Sequence, residues 1–183
     1  MFLNIYFQEH SMAVLSNVDI EQFIRDGRIR VRPLKKDQIG PASIDLTLSD
    51  EWYVFKNKYR REIVDLKEID YKKVHKKIKT ESIALEPGEI CLGKTVERIT
   101  LPPNIIGKLE GRSRYARMGL SIHITSSIVQ PGSDNRQVLE IVNLAPFTVT
   151  LHSGMRISQI VFEELKTPTS KPYAKYGKIA RVQ

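Results

Sequence analysis

Residues 111–117 concentrate side chains that can bind a phosphate group. They read Gly-Arg-Ser-Arg-Tyr-Ala-Arg and supply three arginines and one hydroxyl. The pattern predicts a strand that ends here and a short helix over residues 112–118. A helix N-terminus presents free backbone amides, and arginine adds forked donors that match phosphate oxygens. A basic surface turn without a ligand explains the same residues equally well.

Glu140 is the second candidate, because it interrupts an otherwise apolar strand. It lies between Leu139 and Ile141 and shares a strand face with Val138 and Val142. A partly buried carboxyl group holds its proton more readily, as a general acid or base must near neutral pH. The pattern alone favours the alternative, a glutamate on the wet side of a half-exposed strand.

Pro131-Gly132 predicts a sharp turn after residues 126–130, which read Ser-Ser-Ile-Val-Gln. Backbone groups exposed at such a turn can contact the edge of a base.

Several other chemistries lack their residues. The histidines (His10, His75, His123 and His152) and the single cysteine, Cys91, show no zinc-ligand spacing. A Walker-type loop, a Gly-rich Rossmann turn and a Gly-x-Ser-x-Gly elbow are also missing from the sequence. Cys91 is predicted to be a small buried side chain. An enzyme built from this sequence therefore uses carboxylates, hydroxyls and arginines.

The formal net charge of +8 predicts an anionic partner. A lysine cluster is interpreted as a solvated face rather than a nucleic-acid patch; it comprises Lys72, Lys73, Lys76, Lys77 and Lys79. The sequence shows neither an apolar run of transmembrane length nor a signal-peptide pattern. A cytoplasmic protein is the expectation.

Short alternating segments separated by turn residues predict a mainly β domain, a barrel or jelly roll. Among the expected strands are residues 89–95, 120–125 and 138–143. Residues 1–11 resemble the remnant of a protease-cleavable expression tag. A helix is expected between a Ser16 cap and Gly27, and residues 56–80 predict a loop excursion or a hairpin. Residues 12–168 are expected to form the domain, and residues 169–183 a mobile basic arm.

Five blocks, in order along residues 14–176, resemble the dCTP deaminase family. They are Pro41-Ala42-Ser43-Ile44-Asp45-Leu46; Ile99-Thr100-Leu101-Pro102 with Gly111-Arg112-Ser113 and Ala116-Arg117-Met118-Gly119-Leu120; Pro131-Gly132 with Leu139-Glu140; Gly154-Met155-Arg156-Ile157 with Gln159; and Pro172-Tyr173 with Lys175-Tyr176.

The resemblance implies a distorted jelly-roll-like β-barrel of the dUTPase type with one or two short helices. It also implies a homotrimer with active sites between subunits. The implied reaction is the hydrolytic deamination of dCTP to dUTP without zinc, with Mg²⁺ bound through the substrate triphosphate. Neither a membrane nor a nucleic acid is an expected partner.

The resemblance also implies residue roles. Glu140 matches the catalytic glutamate that shuttles protons, and Ser113 and Arg117 match the residues that hold the water and the glutamate. Tyr173 and Lys175 match arm residues that close over the nucleotide. The candidate substrate-binding residues are Arg112, Arg114, Thr125, Ser126, Ser127, Gln130, Gln159, Tyr173 and Lys175.

Four positions depart from the family pattern. Arg114 stands where the family usually has serine, Ile128 where arginine is common, and Gln130 where an aspartate precedes Pro-Gly. Residues 176–179 read Tyr-Gly-Lys-Ile instead of Tyr-Gln-Gly-Gln. A neutral amide at position 130 cannot act as a base, which counts against dUTP hydrolysis.

Three functions remain open. The first is a dCTP deaminase, which retains Ser113, Arg117 and Glu140. The second is a bifunctional deaminase/dUTPase or a dUTPase, which Gln130 disfavours. The third is a non-catalytic relative that binds nucleotides or nucleic acid, which the altered positions and the net charge favour.

Overall fold

Antiparallel strands dominate residues 13–177, the part of the chain that the computed structural model describes. The strands are β1 (Arg30–Arg32), β2 (Ile44–Phe55), β3 (His75–Lys79), β4 (Ser82–Leu85), β5 (Ile90–Thr100), β6 (Ile105–Gly111), β7 (Leu120–Ile122), β8 (Ile128–Val129), β9 (Asp134–Asn143), β10 (Val149–His152) and β11 (Arg156–Glu164). The α-helices are α1 (Asn17–Arg25), α2 (Tyr71–Val74), α3 (Ser113–Ala116) and α4 (Tyr173–Tyr176). The predicted mainly β class is confirmed. The helices exceed the expected one or two, because α2 and α4 each add a single turn.

One curled sheet carries most of the strands. Its order is β7-β9-β5-β2-β11-β6-β8, with β1 added beside β5 and β3 beside β2, while β4 and β10 pair separately. The curl brings β6 against β7, since a Cβ built on Gly111 would lie 3.7 Å from the Cβ of Ile122. This agrees with the predicted distorted barrel. Within residues 13–177, no helix is long and apolar enough to cross a membrane.

Alternation of apolar and polar residues builds the core. Ile44, Leu46 and Leu48 of β2 are fully buried together with Trp52, as the period of two requires. Cys91 on β5 is buried, and burial raises the pKa of its thiol to about 12. The prediction of a small buried cysteine is therefore confirmed.

Helix α1 begins and ends as predicted. The Asp19 amide donates to Ser16 Oγ over 3.3 Å, and the Ser16 amide donates to the Asp19 carboxylate over 2.9 Å. These reciprocal bonds satisfy amides that an uncapped helix would leave free. Ile20 is fully buried beneath the helix, and Gly27 follows it with a φ of 70°.

Three strand boundaries differ from prediction. The strand expected over residues 120–125 ends at Ile122, because His123 adopts a φ of 52°, which a strand cannot contain. Strand β5 extends to Thr100 rather than to residue 95, and β9 begins at Asp134 rather than at residue 138. Both extensions bring polar side chains into the sheet.

Residues 56–80 follow the hairpin alternative. Strand β3 returns antiparallel to β2, and Glu51 pairs with Lys79 at one end and Phe55 with His75 at the other. The intervening residues form a 3-10 turn at Asn57–Tyr59 and then helix α2. The lysine cluster thus lies on α2 and β3.

The chain after Pro168 packs back on the domain as far as residue 177. The Thr169 amide donates to the Pro103 carbonyl over 2.9 Å, and the Tyr173 amide donates to the Pro131 carbonyl over 2.9 Å. The division of the chain at residue 168 stays a prediction. The expected tag remnant and the departure at Ile179 lie outside the described residues.

We expect Gly119→Ala to destabilise the protein far more than Gly27→Ala. Both glycines have positive φ, 82° and 70°, which costs alanine about 1–2 kcal/mol. At Gly119 the new Cβ would also lie 2.7 Å from the Ala145 amide nitrogen, whereas nothing lies within 4 Å at Gly27. This overpacking raises the expected loss in unfolding free energy to about 2–5 kcal/mol. Equal losses for the two variants in urea unfolding would contradict the tight contact.

Candidate active site

A cavity of about 590 Å³ lies around one edge of β9. Strand β7 pairs only with residues 141–143 of β9, so the preceding half of β9 has no strand on that side. The cavity extends around this free edge, from Val138 and Glu140 on one face of β9 to Asn135 and Gln137 on the other. A cavity of this volume can hold a nucleotide-sized molecule.

The sheet register places Glu140 in a row of side chains that crosses four strands. Lys77 on β3 is opposite Tyr53 on β2, Tyr53 is opposite Leu92 on β5, and Leu92 is opposite Glu140 on β9. Residues directly opposite each other in antiparallel strands share a face. His123 continues the row, because its amide donates to the Glu140 carbonyl over 2.8 Å. All five residues line the cavity.

Among residues 13–177, Thr125 is the residue that holds the Glu140 carboxylate. The Thr125 hydroxyl lies 2.9 and 3.0 Å from the two carboxylate oxygens, and the Thr125 amide donates to Oε2 over 3.1 Å. The side chain is half-buried. Glu140 therefore faces a cavity rather than open solvent, which is the geometry that proton transfer to a bound molecule requires.

His123 lies on the cavity wall, and its imidazole makes no hydrogen bond with residues 13–177. Both of its ring nitrogens are buried without a hydrogen-bond partner. Burial lowers the pKa of His123, and the nearby Glu140 carboxylate only partly opposes this shift. The imidazole is therefore neutral over a wider pH range than an exposed histidine.

Three further predicted site residues share the cavity with Glu140. Ser126 and Gln130 come from the segment before Pro131-Gly132, and Tyr173 comes from α4. The Gly132 backbone lies close to this helix, since a Cβ there would come within 2.6 Å of the Pro172 Cβ. The sharp turn thus brings the segment after residue 168 to the cavity.

The remaining predicted site residues do not line this cavity. They are Arg112, Ser113, Arg114, Arg117, Thr125, Ser127, Gln159 and Lys175; of these, Thr125 contacts Glu140. Helix α3 carries Ser113, Arg114 and its C-cap Arg117, and Arg112 is its N-cap. Within one chain, the two parts of the predicted catalytic group are therefore not brought together in this cavity.

Arg112 is engaged by its own chain. Its guanidinium lies 3.2 Å from the Asp45 carboxylate and donates to the Arg156 carbonyl over 3.0 Å. Burial raises the pKa of Asp45, and Arg112 and Arg156 oppose that shift. A phosphate that reaches Arg112 must therefore share it with Asp45.

Gln159 connects two of the sequence blocks. Its side-chain oxygen accepts a hydrogen bond from Ser43 over 2.7 Å, and its nitrogen donates to the Gly111 carbonyl over 3.2 Å. The residue therefore braces the start of the 111–117 segment against β2. In this chain it positions other residues and is not part of the cavity wall.

The lysine cluster is exposed, as a solvated face predicts, and two of its members also reach the cavity. Lys72 and Lys77 line the cavity together with Tyr53, Tyr71 and His75. Lys77 also pairs with Glu51 over 2.6 Å. Hydrogen bonds from Lys77 and Arg136 lower the pKa of Glu51 to about 2.

Within residues 13–177, no group of three or more histidine, cysteine, aspartate or glutamate side chains has the arrangement to hold a metal ion.

Solved structures with a similar fold indicate the class of protein. The structure resembles that of 2'-deoxycytidine 5'-triphosphate deaminase from Agrobacterium tumefaciens with a TM-score of 0.64 and 18% identity, over 84% of this chain and 48% of that one. The chain thus spans about half the length of that protein. It also resembles EIAV dUTPase with a TM-score of 0.51 and 17% identity, over 79% and 94% of the two chains. The fold is the predicted β-barrel of the dUTPase type.

The sequence then places the chain within one family. A family model described as dCTP deaminase-like matches residues 14–165, and the chain belongs to this family. A Rhodospirillum rubrum protein named dCTP deaminase is 40% identical over 171 residues, covering 87% of each chain. A Methanobrevibacter smithii protein named dCTP deaminase, dUMP-forming, is 36% identical over 88% of this chain and 86% of its own. The family resemblance is confirmed.

We expect His123 to make stability depend on pH below neutrality. Because the pKa of folded His123 is lowered, the stabilisation from its neutral form is complete above about pH 6.5, the unfolded value. It is lost as the pH falls from there towards the folded pKa, with a slope of at most about 1.4 kcal/mol per pH unit. His123→Asn removes the titrating ring and tolerates the positive φ.

Urea unfolding from about pH 5 to pH 8 measures this effect. The free-energy difference between the native protein and His123→Asn should change with pH, whereas His152→Asn, at an exposed site, serves as the control. A difference between native protein and His123→Asn that stays constant with pH would show that His123 does not titrate abnormally.

Proposed function

We propose that this chain catalyses the hydrolytic deamination of dCTP to dUTP and ammonia. The observation that carries the proposal is the Glu140 carboxylate, held by Thr125 in a nucleotide-sized cavity that Gln130 and Tyr173 also line. Membership of the dCTP deaminase-like family supports the same reaction, as do the names of relatives that cover most of the chain.

Glu140 is proposed to move protons between water and the base. It takes a proton from the attacking water while the bond from the water oxygen to C4 of cytosine forms. It then passes this proton to the amino nitrogen, the C4–N bond breaks, and ammonia leaves. The second hydrogen of the water ends on N3 of the uracil ring. General acid–base catalysis of this kind contributes about 10²–10⁴-fold to a rate.

The remaining catalytic residues are proposed to come from a neighbouring subunit of a homotrimer. Ser113 and Arg117, which match the residues that hold the water and the glutamate, do not line their own chain's cavity. Exposed apolar side chains near α3 support self-association, among them Met118 and Leu144 with 53% and 66% of their surface exposed.

The triphosphate is proposed to bind between cationic groups of both subunits. The predicted ligands are Arg112 and Arg114 at α3 and Lys175 in α4. Lys72 and Lys77 on the cavity wall add two cations. Guanidinium and ammonium groups suit phosphate oxygens. Mg²⁺ is proposed to arrive with the triphosphate and to neutralise part of its charge.

A second candidate is deamination followed by release of pyrophosphate, since some relatives are named dUMP-forming. Gln130 counts against it, because a neutral amide cannot activate a second water as a base. A non-catalytic, nucleotide-binding role is the third candidate, and the departures at Arg114 and Ile128 favour it.

Incubation with dCTP and Mg²⁺, with ammonia and pyrophosphate followed separately, distinguishes these functions. We expect ammonia without pyrophosphate. Pyrophosphate from dCTP or dUTP would show that Gln130 is no obstacle to dUMP formation. Neither product, over a range of pH and temperature, would leave only the binding role.

We expect Glu140→Gln to lower the deamination rate by at least about 10²-fold, because glutamine keeps the shape but cannot carry the proton. Binding of dCTP, measured by calorimetry, should change little. Glu62→Gln, at an exposed carboxylate that does not line the cavity, is the matched control and should keep the native rate. An active Glu140→Gln variant would refute the role of Glu140.

Mixing two inactive variants tests whether the site lies between subunits. Ser113→Ala and Glu140→Gln should each be inactive alone. After unfolding and refolding together in equal amounts, about a quarter of the intersubunit sites would combine a native Ser113 with a native Glu140. Recovery of activity to that level is expected. No recovery, with trimers present by sedimentation, would place both residues in the same subunit's site.

A further inference from the structure

A second cluster of cations lies on strands β1 and β5, away from Glu140. Arg30 and Arg32 project from β1 on either side of the buried Val31. The register sets Arg32 directly opposite Arg98 of β5, and Arg30 directly opposite Thr100. Neighbouring strands are about 5 Å apart and alternate residues about 7 Å apart, so the three arginines occupy one small surface.

This arrangement costs stability unless an anion is present, because like charges directly opposite each other in a sheet repel. Asp134 is the single carboxylate beside the three arginines, and it is already engaged. It accepts hydrogen bonds from Arg98 Nε over 2.9 Å and from the Thr100 hydroxyl over 2.7 Å, and the Arg98 bond lowers its pKa. Within residues 13–177, neither Arg30 nor Arg32 makes a side-chain hydrogen bond or a close ion pair, although the charge of Arg30 also helps to lower the pKa of Asp134.

The same residues enclose a small cavity. It has a volume of about 220 Å³ and is lined by Arg30, Arg32, Arg98, Thr100 and Asp134. A cavity of this size holds a few phosphate groups but not a whole nucleotide. The arginines therefore surround a space in which an anion can meet more than one guanidinium.

We propose that this cavity binds a polyphosphate group, that is, two or more phosphates joined in a chain. Three arginines against one aspartate leave two positive charges within a few ångströms, and adjacent phosphates of one chain supply negative charge at that density. In a phosphodiester backbone a sugar separates successive phosphates, so the negative charge is less dense along the chain and matches the cluster less well. The phosphate chain can come from inorganic polyphosphate or from a nucleoside triphosphate.

The proposed site is distinct from the candidate active site. Asp134 and Glu140 lie on the same strand but six positions apart, which is about 20 Å along β9. Arg136 lies between them, and its guanidinium is taken up by Glu51 over 2.6 Å. The two cavities share no lining residue, although Asn135 of the first is next to Asp134 of the second in the chain.

Calorimetric titration with inorganic tripolyphosphate at low ionic strength tests the proposal, using the full chain. The double variant Arg30→Gln/Arg32→Gln should weaken binding to this site by about tenfold or more. Lys35→Gln/Lys36→Gln removes the same two charges from exposed positions nearby and should leave that affinity nearly unchanged. Asp134→Asn should instead tighten binding, because it removes the competing carboxylate.

Each other outcome has a definite meaning. Equal weakening in both double variants would show only the effect of net charge and overturn the proposal. A parallel rise in KM for dCTP would make the arginines part of the substrate site and overturn the proposal. Altered subunit association without tripolyphosphate binding would make them part of an interface between subunits, which also overturns the proposal. Binding of an oligonucleotide without terminal phosphates, but not of tripolyphosphate, would do the same. Equal affinity for tripolyphosphate and ATP would identify the phosphate chain as the group recognised.

Discussion

The antiparallel pairing of β9 with β5 is the constraint on which the candidate site depends. In this register Leu92 faces Glu140, while Leu139 and Ile141, on either side of Glu140, are fully buried. A slip of one residue would bury the carboxylate and expose the two apolar side chains, so the core itself holds the register. The position of Glu140 is therefore secured by hydrophobic packing rather than by any polar contact of its own. Thr125 then needs only to orient the carboxylate within the cavity.

Sequence periodicity predicted the strand that carries Glu140 and the face that this residue shares with the two valines. It did not predict what that face meets, because the facing strands β5 and β2 are distant in sequence and β5 pairs with β9 through a register shift. The lysine cluster shows the same limit. Lys76 and Lys77 are chemically alike, and only the β2–β3 pairing shows that Lys77 lines the cavity. Periodicity fixes which residues share a face, whereas function depends on which strand lies opposite.

The family resemblance predicts which residues act together, whereas the geometry of one chain shows which of them meet in one cavity. The sequence blocks predicted that Ser113, Arg117 and Glu140 act together, yet a single chain leaves α3 outside the Glu140 cavity. The blocks also contain residues whose contacts are internal. Asp45 holds Arg112, and Gln159 links Ser43 to Gly111. A sequence motif does not separate residues that contact a ligand from residues that position them, because both are required at the same place in the chain.

The distribution of charge along the Glu140 row gives an orientation to a bound nucleotide. Glu140 and Lys77 stand at opposite ends of the row across four strands, about 14 Å apart by strand spacing. A triphosphate is repelled by the carboxylate and attracted by the ammonium groups of Lys77 and Lys72, while a neutral base experiences neither force strongly. The low-energy orientation therefore directs the base towards Glu140 and the phosphates away from it. This polarity belongs to a single chain, because α2 and β3 carry Lys72 and Lys77 while β9 carries Glu140.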